Sequence, residues 1–323
     1  MTTAPHVLGP EDLEGHRREL TAYCYRMLGS GFDAEDAVQE TMLRAWRASG
    51  GFEGRSSVRS WLYRIATNVC LDLLRGRQRR AQPMELGPSR PPVESSLEAL
   101  LPEGSWVSPI ADERVLPPEA DPAELAVARD SVRLAFVAAL QHLPPRQRAA
   151  LILCEVLRWQ AAEAAELLGT SVGAVNSALQ RARATLGSGG APKAQGTAPP
   201  HQRALLARYV DAFERYDIDS LVKLLHDDAV QSMPPYAMWL RGAADIGGFM
   251  LGPGAGCRGS RLIPKAANGC PAFGHYKPSP QGGHTPWALQ VLEISGDRIA
   301  GIHSFLDAAR LFPAFGLPAH LPA

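Results

Sequence analysis

The chain has 323 residues and carries 33 basic and 33 acidic side chains, so bulk charge gives it no general affinity for nucleic acid. Its hydrophobic content of 46% supports buried cores, and its length allows two or three small domains. The sequence has no run of eighteen apolar residues and no leader-like start, so we expect a cytoplasmic protein without membrane contact. Its five cysteines form no C-x-x-C pair and predict neither a zinc site nor a disulfide framework.

The first patterned segment is DAEDAVQETMLRAW, which begins at Asp33. Its apolar residues recur at helical spacing and predict a stripe that packs inward: Val38, Met42, Ala45 and Trp46. Asp33 is placed to cap this helix. The remaining face is polar: Asp36, Gln39, Glu40, Arg44 and Arg47. An ordinary solvated face and a protein-binding face both fit that pattern.

A basic segment follows, from Arg59 to Arg80. It again shows helical spacing, with an apolar stripe at four-residue steps: Trp61, Ile65, Val69 and Leu73. Its cations stand against a single acid, Asp72: Arg59, Arg64, Arg75, Arg77, Arg79 and Arg80. A phosphate-binding surface explains this bias. Arginines at the end of a helix also satisfy its macrodipole, which is the alternative for the last four.

Together these two segments resemble region 2 of sigma-70-type factors of the extracytoplasmic-function group. The resemblance implies that the chain binds core RNA polymerase at the beta-prime clamp helices and the beta subunit. The clamp-binding residues it implies are Asp36, Gln39, Glu40 and Arg44. It also implies that the loop GFEGRSSV and the following helix melt and hold a promoter −10 element.

Cations and aromatic side chains suit that task, because they hold an unstacked strand while a flipped base is bound in a pocket. The −10 candidates are Phe52, Arg55, Ser56, Arg59, Asn68, Arg75, Arg77, Arg79 and Arg80. Trp61 is a further candidate, but it begins the apolar stripe, and a core position is the favoured alternative.

The segment from Leu143 to Leu186 predicts three helices. Pro144 and Pro145 open the first helix, and Gly169 closes the second. In the third helix an apolar stripe turns inward: Val172, Val175, Leu179, Ala182 and Leu186. Polar residues are left outside: Asn176, Ser177, Gln180, Arg181 and Arg183. This arrangement is a helix-turn-helix with a recognition helix.

The same segment resembles region 4 of the sigma family, which implies a recognition helix in the major groove of the −35 element. The implied DNA contacts are Ser171, Asn176, Ser177, Gln180, Arg181 and Arg183. Asparagine and glutamine bind adenine and arginine binds guanine, while Arg181 and Arg183 fit phosphate contact equally well. Many family members carry lysine where Asn176 stands, so their base preference does not carry over. A G-x-S-x-G pattern at 169–173 follows a helical stretch and predicts no hydrolase elbow.

Between these parts, residues 81–125 are rich in proline and glycine and predict a linker. Seven acids stand against Arg114 between Glu98 and Glu124. The resemblance implies a tether that threads a basic channel in polymerase, and a disordered spacer is the alternative. Trp106 is unusual in a spacer and predicts an anchor on a partner or on the chain itself. The predicted domains are region 2 at 8–80 and region 4 at 126–187, followed by a flexible tether at 188–200.

Residues 201–323 predict two helices, a strand, a helix and later strands, with turns at Asn268-Gly269 and Gly296-Asp297. The segment resembles the SnoaL-like branch of the nuclear-transport-factor-2 (NTF2) fold, a cone with an interior pocket. The expected fold is therefore multidomain, with all-α regions 2 and 4 followed by an α+β NTF2-like cone. An apolar tail either closes this cone or binds a neighbour: Leu311, Phe312, Phe315, Leu317 and Leu321.

The role of this extension has two interpretations. Relatives of the SnoaL-like fold include isomerases, dehydratases and epoxide hydrolases, so an enzyme fused to DNA-binding helices is one of them. Catalysis needs a base and hydrogen-bond donors in a sealed pocket, and the candidates are Tyr236, Trp239, Arg241, His275, His284, Trp287, His303 and Asp307. For a small-molecule ligand the candidates are Tyr236, Trp239, Trp287 and His303.

The other interpretation is a built-in regulator that contacts regions 2 and 4, since a tethered domain acts at high effective concentration. We expect a sigma factor with this built-in regulator, without a catalytic residue, metal site or cofactor. The enzyme is kept as the alternative.

Overall fold

The computed structural model describes residues 9–52, 54, 56–187 and 199–322. The chain forms two compact units: Met1–Arg80 with Asp112–Ala191, and Ala81–Ala111 with Pro192–Ala323. The predicted linker over 81–125 is therefore divided, because its first part belongs to the second unit and its remainder to the first. Within the described residues, no helix is long and apolar enough to cross a membrane.

The first unit is built of helices, in two groups along the chain. The first group is α1 (Pro10–Glu14), α2 (Arg17–Leu28), α3 (Gly31–Ala48) and α4 (Val58–Leu73). A short helix in the second unit, α5 (Pro83–Leu86), comes next. The second group is α6 (Asp112–Val115), α7 (Pro122–Asp130), α8 (Leu134–Gln141), α9 (Pro145–Leu151), α10 (Ala161–Leu168) and α11 (Val172–Gly187). Helix α9 continues into a π-helical turn over Ile152–Val156.

The N-cap of helix α3 lies three residues before the predicted cap. Ser30 is the N-cap, and its hydroxyl accepts a hydrogen bond from the amide of Asp33 at 3.2 Å, so the prediction of Asp33 as the cap was wrong. Thr41 is buried because its hydroxyl donates to the carbonyl of Ala37 at 2.7 Å. The inward stripe therefore passes through Thr41, and Trp46, predicted inward, is 53% exposed.

Helix α4 shows a similar shift of one residue. Its buried positions include Leu62, Ala66 and Val69, whereas Trp61, Ile65 and Leu73 of the predicted stripe are only half-buried. The helix ends at Leu73, and Gly76 adopts a left-handed φ of 74° soon afterwards. The arginines from 75 to 80 consequently lie after the helix. They do not extend its basic face, although the sequence pattern had predicted that they would.

The helix-turn-helix is present where it was predicted. Gly169 ends α10 in the left-handed conformation at φ 61°, which glycine adopts without strain. In α11 the side chains of Val175, Leu179 and Ala182 are buried. Val172, predicted to point inward, is instead 44% exposed, because it lies at the first position of the helix, beyond the packed turns.

The second unit contains a six-stranded sheet with strand order β2-β1-β6-β5-β4-β3. The strands are β1 (Leu225–Ser232), β2 (Trp239–Arg241), β3 (Arg261–Ala267), β4 (Cys270–Pro278), β5 (His284–Ser295) and β6 (Arg298–Phe305). Its helices are α12 (Pro199–Glu214), α13 (Ile218–Val222), α14 (Ala243–Leu251) and α15 (Ala308–Ala314). Strands β1 and β6 are parallel, and the other neighbouring pairs are antiparallel. The predicted fold class, helical regions followed by an α+β domain, is confirmed.

The predicted turns are present, since Asn268 and Gly269 both have positive φ and Gly296 has a φ of 60°. The sequence pattern missed β2, which has three residues, and β4, which contains proline at 271 and 278. The apolar tail packs on its own sheet, where the ring of Phe312 lies 5.0 Å from that of Tyr276.

Candidate nucleic-acid and protein interfaces

The outer face of α3 combines charged and apolar side chains. Asp36 and Gln39 are exposed, and Arg44 Nε donates to Glu40 Oε1 at 2.6 Å. Beside them Leu43 is 50% exposed. Together with Trp46, Leu43 forms an exposed apolar pair one helical turn long. An exposed tryptophan next to charged groups is typical of a protein-binding surface. Sequence reasoning missed this pair because it had assigned Trp46 to the core.

The aromatic residues before and within α4 lie together. The ring of Phe52 is 5.1 Å from that of Trp61, and both side chains are half-buried. The favoured core position for Trp61 is therefore not what the structure has. Ser56 is half-buried and Asn68 is exposed, while Arg55 lies outside the described residues.

Two arginines of α4, the −10 candidate Arg59 and its neighbour Arg64, are held by other parts of the same unit. Arg59 Nε donates to Glu19 Oε2 at 2.8 Å, and its guanidinium lies 5.4 Å from the ring centroid of Trp159. Arg64 donates to Glu166 Oε1 at 3.2 Å. Trp159 lies in the turn before α10 and Glu166 lies on α10, so this basic face of α4 is engaged by the part of the chain that carries the recognition helix.

The arginines after α4 differ in their surroundings. Arg77 and Arg80 both donate to Asp33 Oδ2, at 2.6 and 2.8 Å, and so they tie the end of this segment to the start of α3. Arg75 has an 81% exposed side chain, and Arg79 is exposed while it contacts the imidazole of His142. Arg75 and Arg79 are thus more accessible to a phosphate backbone.

Two arginines that the sequence did not single out are buried between the two helix groups. Arg26 donates to the carbonyl of Ser131 at 3.1 Å and to its hydroxyl at 2.6 Å. Arg148 donates to the carbonyl of Met27 and to the side-chain oxygen of Gln141, the latter at 2.6 Å. Burial lowers the pKa of each arginine to about 10. All these acceptors are neutral, so the two cations are stabilised by dipoles. Apolar residues flank Arg26, but Arg148 follows Arg146 and Gln147, so the sequence offers no common signal for the two.

The recognition helix α11 presents its polar face to solvent. Ser171 directly precedes the helix, and its hydroxyl accepts a hydrogen bond from the amide of Ala174 at 3.2 Å. The outward residues are exposed, as the spacing predicts: Asn176, Ser177, Gln180, Arg181 and Arg183. Arg183 also forms an ion pair with Glu155. The side-chain amides of Asn176 and Gln180 are therefore accessible to a DNA groove, whereas the guanidinium of Arg183 is held at the side of the helix by Glu155.

Residues 81–111, which we call the linker segment, pack on the C-terminal domain of the second unit. Trp239 Nε1 donates to the carbonyl of Gly87 at 2.8 Å. The amide of Leu101 donates to the carbonyl of Pro235 at 2.7 Å. At the other end the amide of Ile110 donates to Asn268 Oδ1 at 3.1 Å. Trp106, the predicted anchor, is half-buried and pairs with Ala81 within the segment itself.

The four ligand-pocket candidates lie in different surroundings. The indole N–H of Trp239 donates to the linker segment, and Tyr236 packs against the main hydrophobic core. Trp287 is 38% exposed, with the ammonium group of Lys277 3.4 Å from its ring centroid. His303 is 2% exposed, and its Nδ1 lies 2.8 Å from the hydroxyl of Ser232.

Some of the other buried polar side chains of the second unit are hydrogen-bonded to each other. Tyr209 donates to the side-chain oxygen of Gln290 at 3.1 Å, and His275 Nε2 lies 2.9 Å from the hydroxyl of Ser260. Burial, reinforced by the charge of Lys277, lowers the pKa of His275 to about 3. The catalytic candidates Arg241 and Asp307 are exposed, and His284 bonds the carbonyl of Gly259.

Comparison with known proteins agrees with this division of the chain. A model of sigma-70 region 2 matches residues 13–80, and a model of sigma-70 region 4 matches residues 133–186. The ECF RNA polymerase sigma factor SigG of Mycobacterium tuberculosis is 49% identical over 314 residues, which cover 95% of this chain and 83% of SigG. The chain belongs to the ECF RNA polymerase sigma factors.

Two further comparisons involve SigJ of the same species. The SigJ sequence is 29% identical over 247 residues, covering 75% of this chain and 72% of SigJ. Its crystal structure superposes with a TM-score of 0.60 at 24% identity, over 96% of this chain and all of that structure. The shared fold therefore extends through the C-terminal domain. The alternative of an enzyme fused to DNA-binding helices is not favoured.

Proposed function

We propose that this ECF sigma factor directs core RNA polymerase to promoters with −10 and −35 elements, and that its C-terminal domain restrains it by holding the linker segment. The observation that carries the regulatory part is the set of hydrogen bonds that joins residues 81–111 to the C-terminal domain. The initiation part rests on the membership in the ECF family and on the exposed faces of α3 and α11.

For polymerase binding, we assign the clamp-helix contact to the outer face of α3. Its polar side chains, Asp36, Gln39, Glu40 and Arg44, give orientation. Leu43 and Trp46 supply the apolar area that a stable protein interface requires. This face is available without any rearrangement of the helix, because both apolar side chains are about half exposed.

For −10 binding, we infer that region 4 must move away from α4. Arg59 lies against Trp159, and Arg64 is paired with Glu166, so both arginines exchange partners when they meet a DNA strand. The exposed pair Arg64–Glu166 contributes little, about 0–1 kcal/mol. The buried hydrogen bonds of Arg26 and Arg148 contribute more to holding the two helix groups together, because a hydrogen bond from a charged donor is worth about 1.5–3 kcal/mol.

For regulation, we infer that the linker segment is released when polymerase binds. A linker between regions 2 and 4 that threads a polymerase channel has to leave the surface on which it is bound. Each of its backbone hydrogen bonds contributes about 0.5–1.5 kcal/mol, and together they oppose that release. The domain thus lowers activity unless polymerase, a region of the same chain or a small ligand displaces the segment.

The test is run-off transcription from a genomic promoter library with core polymerase and the full chain. Asn268→Gly removes the acceptor of the Ile110 amide, and glycine tolerates the φ of 57° at this position. Trp239→Phe removes the donor to Gly87. We expect both variants to raise transcript yield. Trp287→Phe is the matched control, because Trp287 is a partly exposed tryptophan that contacts Lys277 of the sheet.

The outcomes separate the two parts of the proposal. If neither the full chain nor the variants start transcription at specific promoters, the initiation role fails. If all of them start it with equal yield, initiation stands and the restraint by the linker segment is excluded.

A further inference from the structure

Val172, the first residue of the recognition helix, is unusually exposed for an apolar residue. Its side chain is 44% exposed, although the valine and leucine that follow it on α11, Val175 and Leu179, are buried. Asn176 is one helical turn further on and is also exposed, so the two side chains lie on the same face of the helix. A branched apolar side chain thus stands directly ahead of an amide that can bind adenine.

The next residue, Gly173, has no role inside the chain that explains it. A Cβ built at this position meets nothing closer than 3.9 Å, where the hydroxyl of Ser171 lies, and the backbone there is helical. Glycine inside a helix costs about 1 kcal/mol relative to alanine. The missing side chain leaves an open notch beside Val172 and Asn176, so the backbone of this turn can approach another molecule closely.

We propose that Val172 determines part of the −35 specificity by packing against the C5-methyl group of a thymine, with Gly173 giving the space for that approach. The thymine methyl is the apolar group that the major groove presents, and small apolar side chains contact it. Recognition helices contact base edges with their N-terminal residues, which is where Val172 lies. This inference rests on the proposed function, because it needs region 4 in the major groove.

The test uses holoenzyme made from core polymerase and the full chain, bound to a promoter duplex taken from the run-off library. Each thymine of the −35 element is replaced in turn by deoxyuridine, which lacks only the methyl group. We expect one thymine at which the replacement weakens binding about fourfold, the effect of one buried methyl group. In Val172→Ala, binding to the unmodified promoter weakens by a similar factor, and the deoxyuridine replacement has no further effect.

Val127→Ala is the matched control, since Val127 is a 53% exposed valine on α7, away from the recognition helix. Its binding and its sensitivity to deoxyuridine stay as in the unchanged chain. A second variant, Gly173→Ala, is expected to raise the thermal unfolding midpoint while it weakens promoter binding. If Gly173 had only a structural role, Gly173→Ala would raise the thermal unfolding midpoint without weakening promoter binding.

Three results would overturn the inference while leaving the proposed function intact. They are a specific −35 element without thymine on either strand, a promoter insensitive to every deoxyuridine replacement, and a Val172→Ala variant that keeps the sensitivity. If the unchanged holoenzyme binds no promoter specifically, the proposed function itself is wrong and the inference falls with it.

Discussion

Arg26 and Ser131 lie 105 residues apart in the chain and meet in a buried contact, with 2.6 Å between Arg26 Nη2 and the Ser131 hydroxyl. Next to it, Gln141 donates to the carbonyl of Arg26 at 3.2 Å and accepts from Arg148. The two cations and their neutral acceptors thus connect α2 to the helices of region 4. Removing one partner of such a network costs more than the network contributes as a whole, because the others remain buried without a partner.

We therefore expect Arg148→Met to destabilise the first unit by about 3–5 kcal/mol, since it leaves several carbonyl oxygens unpaired in the interior. Hydrogen exchange of α2 and α8 in increasing urea measures this change. Arg146→Met is the control, because Arg146 is exposed two residues away, and its effect should stay within about 0.5 kcal/mol. Equal effects of the two substitutions would contradict the buried network.

The apolar pair on α3 makes a prediction about polymerase affinity. Leu43→Ala should weaken binding to core polymerase about tenfold, because the truncation removes apolar area whose burial at an interface contributes about 1.5 kcal/mol. Fluorescence anisotropy of the labelled full chain measures the dissociation constant. Leu251→Ala provides the comparison, since Leu251 is a 64% exposed leucine in the C-terminal domain. If both variants bind alike, α3 does not contact polymerase through this pair.

The release of the linker segment is measurable directly. In the free chain the amide of Leu101 is bonded to the carbonyl of Pro235, so a peptide covering 99–111 should exchange slowly with deuterium. On addition of core polymerase we expect exchange in this peptide to become at least tenfold faster, because each hydrogen bond to the domain is lost. Peptides from β5, in the middle of the sheet, serve as the control and should not change. Unchanged protection of 99–111 in the holoenzyme would refute the release.

Acid should destabilise the C-terminal domain through His275. The folded domain keeps this imidazole neutral down to a pKa of about 3, whereas the unfolded chain binds a proton near pH 6.5. Protonation thus favours unfolding, so stability is complete above pH 6.5 and decreases by about 1.4 kcal/mol per pH unit below it. His275→Gln should flatten this part of the pH profile of urea unfolding. His226→Gln, which changes an exposed histidine, should leave the slope as it is.

The helical periods and the turn residues were sufficient to predict most of the elements. Gly169 and the Asn268-Gly269 pair adopt the left-handed backbone conformation, which glycine and asparagine favour at helix ends and turns. The exposed polar residues of α11 follow from their helical spacing. The errors in α3 and α4 were shifts of one position. They arose because Thr41 in α3 and Thr67 in α4 each donate their hydroxyl to a carbonyl one turn earlier, and so occupy core positions that a polar residue was not expected to take.

What the sequence could not supply were contacts between distant segments. Arg26 and Arg148 resemble surface cations until their acceptors are known, and the carbonyls of Ser131 and Met27 that join the two helix groups are 105 and 121 residues away in the chain. The same holds for the linker segment, whose proline-rich composition predicts a spacer. Its hydrogen bonds are made with Pro235, Trp239 and Asn268, which a local pattern does not reveal.

The assignment of residues 81–111 to the second unit changes what a domain deletion means. A chain that stops before residue 199 loses the surface to which Ile110 and Ala111 are bonded, in addition to its last domain. Such a truncation is at the same time an alteration of the connection between regions 2 and 4. An evolutionary loss of the extension would accordingly require compensating polar substitutions in the middle of the gene, so the two stretches are expected to change together.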